Sequence, residues 1–211
     1  MLVTNATRRQ TPKMRQDPSR RLWLTRTAVL AAAASHCPSY VWAHNDAGQV
    51  NPPTSAPGTK VTWHNGTQGS LRDALVGKVT AMQTMFTGCS ATCPIQGALF
   101  GAVQAMLPSQ RPNLQLLSLS IDPLSDDPRA LTRWLSKFNA RSHWRAGAPD
   151  HRALDALLDF LRARNNTSDR HTAQVYFFNP RGELALRTTD FPPPEQIAKL
   201  LMDLEARFNR S

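Results

Sequence analysis

The sequence predicts an α/β layered domain whose first two strands are parallel, and three observations predict it. Apolar residues alternate between short runs and helically spaced stretches, in the order β-α-β-α-(α)-β-β-α. The first two runs, Val79 to Phe86 and Leu114 to Ile121, are separated by a helical stretch, the crossover that a parallel pair requires. The last two runs are joined by Pro180-Arg181-Gly182, a hairpin turn.

Taken in order, residues 1–43 read as a cleavable export signal. Paired arginines, Arg20-Arg21, precede an apolar run from Ala28 to Ala34, and Val41-Trp42-Ala43 supplies the small residue of a cleavage site. The arginine pair resembles a twin-arginine signal, which carries folded proteins into the bacterial periplasm. The run is shorter than the ~20 residues a membrane span needs. Cleavage after Ala43 is therefore expected, with a mature chain that does not span a membrane. Cys37 would leave with the signal, and His36 before it is larger than the small residue that usually precedes a lipid-anchor cysteine.

Charge follows the same division. The whole chain carries a net +10, but residues 1–43 hold seven basic residues and one acidic, leaving +4 for the remainder. No dense Lys/Arg cluster remains there, which argues against a nucleic-acid partner.

Residues 44–58, with Pro52, Pro53 and Pro57, read as a flexible leader to a single domain over 59–211. Val79 to Phe86 fits a strand. Ile95, Ala98, Leu99, Ala102, Val103 and Met106 recur at helical spacing, with Pro94 in the first turn and Pro108 past the end. Leu114 to Ile121 is apolar enough to be buried on both faces. Leu131, Trp134, Leu135 and Phe138 mark a helix, and Leu154, Leu157, Leu158 and Leu161 another. Strands are expected at Gln174 to Asn179 and Glu183 to Thr188, then a helix through Ile197, Leu200, Leu201, Leu204 and Phe208. Met85 and Met106 fit core-facing positions; Met82, Trp63 and Trp144 have no assigned place.

The chemistry concentrates at Cys89 and Cys93, in Thr87-Gly88-Cys89-Ser90-Ala91-Thr92-Cys93-Pro94, where the first strand runs into the first helix. Unpaired N–H groups and the helix dipole there stabilise a thiolate. Residues four apart share a helix face, so both sulfurs can serve one site. Two thiolates select soft metals, above all Cu(I), with Zn(II) also accommodated. A structural disulfide is the plain alternative, but closing so short a loop stabilises a fold little, and the position suits reactivity better.

A third ligand must come from elsewhere. Of six histidines, His36 lies in the signal, His44 and His64 in or near the leader, and His143 and His151 flank Trp144 and a helix start. His171 directly precedes the strand from Gln174, after the polar loop Asn165 to Arg170. Asp122 and Asp127 each precede a proline and are expected to start turns.

These segments together resemble the SCO/SenC family of thioredoxin-like copper proteins. The likeness lies in Val79 to Pro94 with its Cys-x-x-x-Cys-Pro; in Ser120-Ile121-Asp122-Pro123 followed by Asp127-Pro128; in Arg170 to Phe178; and in the hairpin Asn179-Pro180-Arg181-Gly182. It covers most of residues 70–205. Ser90 stands where many members carry proline, and Asn179 replaces the usual hairpin aspartate; neither change removes a ligand atom. Many members are anchored by an N-terminal helix, whereas this chain reads as cleaved.

The resemblance implies a thioredoxin-like fold, a central mixed sheet flanked by helices. It implies copper, as Cu(I) or Cu(II), bound by Cys89, Cys93 and His171. It also implies a role in copper delivery, or thiol maintenance, during assembly of the copper centre of cytochrome c oxidase, with a copper donor protein and an oxidase subunit as partners. The rival function is an enzyme, a thiol–disulfide oxidoreductase in which Cys89 and Cys93 form the redox-active pair and His171 is dispensable. A peroxide-reducing thiol protein is a weaker third reading, since no motif places an arginine beside an activated cysteine.

Overall fold

The structure, a computed structural model, describes residues 47–108, 111–164 and 172–209. The expected signal, with Cys37, and His44 and His171 lie outside the described residues. The strands are Gly48–Ser55 (β1), Lys60–Trp63 (β2), Gln68–Ser70 (β3), Val79–Met85 (β4), Leu114–Ser120 (β5), Trp144–Pro149 (β6), Val175–Phe178 (β7) and Glu183–Arg187 (β8). The α-helices are Leu71–Leu75 (α1), Thr92–Met106 (α2), Pro128–Lys137 (α3), Leu154–Leu161 (α4) and Pro194–Phe208 (α5).

All eight strands form one mixed sheet in the order β1-β8-β7-β4-β5-β6-β2-β3. β4, β5 and β6 run parallel, with Val79 opposite Leu114 and Leu116 opposite Trp144. β7 lies antiparallel to β4, and β8 pairs antiparallel with β7 across the predicted hairpin. The parallel β4–β5 pair and the β7–β8 hairpin stand where the sequence places them, to within a residue at each end.

Alternation along the central strands sends side chains into two cores, as a sheet covered on both faces requires. Ala81, Met85, Leu116 and Phe177 face one core, filled by Phe100 and Val103 of α2, Trp134 of α3, and Ile197 and Leu201 of α5. Met82, Leu117, Tyr176 and Phe178 face the other, filled by Leu71 and Leu75 of α1 and by Leu157 and Leu161 of α4. Both Met82 and Met85 are therefore core residues.

The structure departs from the sequence reading in several places. Residues 48–55, expected within a flexible leader, form the edge strand β1 against β8. Its side chains are largely exposed, so no apolar pattern announces it. β2, β3, α1 and β6 are additional elements, and they place the two unassigned tryptophans: Trp63 ends β2 and Trp144 begins β6, both buried.

Met106, expected in the core, is 41% exposed. The buried face of α2 carries Cys93, Gln96, Gly97, Phe100, Val103 and Gln104, offset from the stripe that Ile95 and Met106 suggest. Gly97 is required on that face because a Cβ there would overlap the Phe138 ring. That ring packs edge-on against Trp134 and stacks on Trp144, with centroids at 4.8 and 6.1 Å.

Candidate metal and thiol site

The site forms at the carboxyl end of β4, where the chain leaves the sheet and enters α2 after six residues. The C-terminal ends of parallel strands, beside a helix N-terminus, are the usual location for functional groups in such sheets. Ala91, the α2 N-cap, makes no side-chain capping bond. Instead the Cys93 N–H donates to the Cys89 Sγ at 3.4 Å, so sulfur takes the place of a capping oxygen.

The two thiols are free and unequal. Cys89 is partly exposed, whereas Cys93 is wholly buried in the core beneath the helix. Burial opposes ionisation of Cys89, but hydrogen bonds from the N–H groups of Cys93, Ala91 and Thr92 outweigh it, so its pKa falls below the ordinary thiol value. Burial pushes the Cys93 thiol up to about 12, with the nearby Cys89 and Asp126 adding to the effect. One sulfur is thus open to solvent and easily ionised, and the other is held back as a neutral thiol.

The loop before Cys89 is tied to the end of β5. Asp126 accepts the Thr87 N–H at 3.2 and 3.1 Å through its two oxygens, the Thr87 hydroxyl at 2.6 Å and the Ser120 hydroxyl at 2.7 Å. Asp127 caps α3, accepting the Ala130 N–H at 2.7 Å, in keeping with the expected turn. The Asp122 carbonyl accepts from Ser125 and Asp126 N–H groups and shapes the same loop. Asp126 itself went unnoticed in the sequence, although it is the first residue of the Asp-x-Pro triplet Asp126-Asp127-Pro128.

Gln96 is a second unanticipated residue. It lies one turn past Cys93 on the buried face of α2, and its Nε2 donates to the Thr172 carbonyl at 3.5 Å. Thr172 immediately follows His171, so the chain next to that position is joined to the cysteine helix. The Gln96 Oε1 is buried without a partner among the described residues.

The remaining described histidines have other neighbours. His143 precedes β6 and so lies at the opposite end of the sheet from the cysteines, which follow β4, a strand parallel to it. His64 hydrogen-bonds the Ala146 carbonyl at 3.3 Å, and His151 pairs with Asp150 at 3.8 Å. Among the described residues, no group of three or more His, Cys, Asp or Glu side chains is placed to hold a metal ion. The cysteine pair fits a soft metal by its donor chemistry and supplies two ligands.

Comparison with known proteins now identifies the class. The SCO1/SenC family model matches residues 60–206, most of the chain, and the chain belongs to that family. Its fold is thioredoxin-like, as solved relatives show. A SCO1/SenC family lipoprotein from Bacillus anthracis str. Ames is 21% identical, with a TM-score of 0.64 over 73% of this chain and 96% of that one. ScoI of Bradyrhizobium japonicum, solved with copper bound, is 21% identical, with a TM-score of 0.60 over 72% and 99%. BsSco, described as having a disulfide switch and as a member of the Sco family of cytochrome c oxidase assembly proteins, is 18% identical, with a TM-score of 0.63 over 74% and 95%. Comparison with curated protein sequences finds no match. No helix among the described residues is long and apolar enough to cross a membrane.

Proposed function

We propose that this chain carries copper in the bacterial periplasm and delivers it to the copper centre of cytochrome c oxidase, after export directed by residues 1–43. Cys89 and Cys93 supply two thiolates and His171 an imidazole; copper is cargo, held by ligands that a partner's soft groups replace one at a time. The observation that carries the reading is the free pair itself, with Cys89 Sγ seated on the Cys93 N–H at the start of α2. Relatives of the same family solved with copper support it. An exposed, ionisable Cys89 above a buried Cys93 gives an order of events: the outer sulfur meets the metal first, and the inner one closes the site on losing its proton.

The test is copper binding by the reduced protein beside Cys89→Ser, Cys93→Ser and His171→Ala, under a competing chelator. One copper per chain, weakened by all three substitutions, supports the site. Indifference to His171→Ala sinks the three-ligand reading.

The same asymmetry favours a second reading, thiol–disulfide exchange. The Cys89 thiolate would attack a partner disulfide, form a mixed disulfide and release one partner thiol. Cys93, on losing its proton, would attack Cys89 Sγ and release the second, leaving the Cys89–Cys93 disulfide and a partner reduced by two electrons. Retained reductase turnover in His171→Ala separates this activity from copper carriage.

A further inference from the structure

Asp126 is 2% exposed, and all its hydrogen-bond donors among the described residues are uncharged: the Thr87 N–H and hydroxyl and the Ser120 hydroxyl. Burying a carboxylate without a cation is costly, and a neutral acceptor would tie the same loop to β5 at lower cost. Thr87 lies two residues before Cys89, so the buried carboxylate is bonded directly to the loop that carries that sulfur. The carboxylate therefore stands behind the cysteine pair, joined by hydrogen bonds to the loop that leads into Cys89.

We infer that Asp126 is a positioning residue for the cysteine pair: it latches the Cys89 loop to the end of β5, and its buried negative charge favours Cu(II) over Cu(I) in the metal the pair holds. The inference rests on the copper reading above. A fixed negative charge attracts the more positive metal more strongly, and the effect is large where water is excluded. The latch acts differently, because it fixes where the Cys89 sulfur stands and so influences both oxidation states.

Two substitutions separate these roles. Asp126→Asn removes the charge while nearly keeping the shape; Thr87→Val removes the hydroxyl donor and keeps the charge. Cu(I) and Cu(II) affinities of the full chain are measured by chelator competition, with the Cu(II)–thiolate absorption band recorded for each protein. Asp126→Asn is expected to lower the ratio of Cu(II) to Cu(I) affinity about tenfold, the order of effect expected for removing one nearby buried charge. Thr87→Val is expected to weaken both oxidation states together and to shift the band, with the ratio unchanged.

An unchanged ratio in Asp126→Asn, in a wild type that binds copper, overturns this inference alone. So does the same change in both variants, which would make Asp126 merely structural. Absence of copper binding by the wild type overturns both this inference and the copper reading. Should Asp126→Asn fail to fold, Thr87→Val decides: unchanged affinities and an unchanged band overturn the latch.

Discussion

Gln96 reaches from the buried face of α2 to the Thr172 carbonyl at 3.5 Å, joining the helix that carries Cys93 to the residue after His171. Gln96→Leu removes that bond and also an unpartnered buried oxygen. The two effects on stability oppose each other, so the fold should change by less than about 1 kcal/mol. Copper affinity should nevertheless fall about tenfold if His171 is the ligand proposed above, because its segment loses that tie. Thermal unfolding of the metal-free protein and chelator competition check the two halves of this expectation.

The cysteines should react in sequence. In the reduced, metal-free protein, limiting iodoacetamide should modify Cys89 well before Cys93, and the Cys89 rate should rise with pH through a midpoint below the ordinary thiol value of 9.0. Peptide mapping of the alkylated protein reads the order. Equal labelling of the two sulfurs would contradict the burial of Cys93.

A pH dependence of stability follows from Cys93. Its folded pKa is raised, to about 12, so above pH 9 the unfolded chain gives up this proton while the folded one keeps it. The reduced protein should therefore lose stability from about pH 9 towards pH 12, and Cys93→Ala should flatten that loss. Urea midpoints across this range test it.

Gly97→Ala should destabilise the fold by about 1–3 kcal/mol, since the new methyl overlaps the Phe138 ring that Trp134 and Trp144 hold in place. Calorimetry of the metal-free protein measures this directly.

Asp127→Ala makes a contrast with its neighbour Asp126. It removes the α3 cap at Ala130 and should cost about 1 kcal/mol, with copper affinity unchanged. A drop in copper affinity comparable to that of an Asp126 variant would show that the whole loop, rather than one carboxylate, controls the site.

What could be read from the sequence follows physical lines. β7 is a continuous apolar run, and β4 and β5 are largely apolar, because both faces of the sheet are covered, and such runs stand out in a polar background. β6, Trp-Arg-Ala-Gly-Ala-Pro, has no β-branched residue and ends in proline, so nothing local marks it as a strand. The buried face of α2 holds Gln96, Gly97 and Gln104, which carry no hydrophobic signal. Periodicity therefore settles on Ile95 and Met106, which are exposed. Cys89 and Cys93 are legible because they are few and close together. Asp126 and Gln96 act on partners 39 and 76 residues away, a relation that only the folded chain creates.

The two borders of the sheet bear on how these molecules behave in a crowd. β1 forms one border, and Pro52 and Pro53 have no N–H to offer an approaching strand; β3, at the other border, is three residues long. Neither side is a good template for strand-to-strand self-association. A concentrated, metal-free preparation should accordingly stay monodisperse through long storage, and loss of residues 48–55 would bare β8 and invite growth into fibrils.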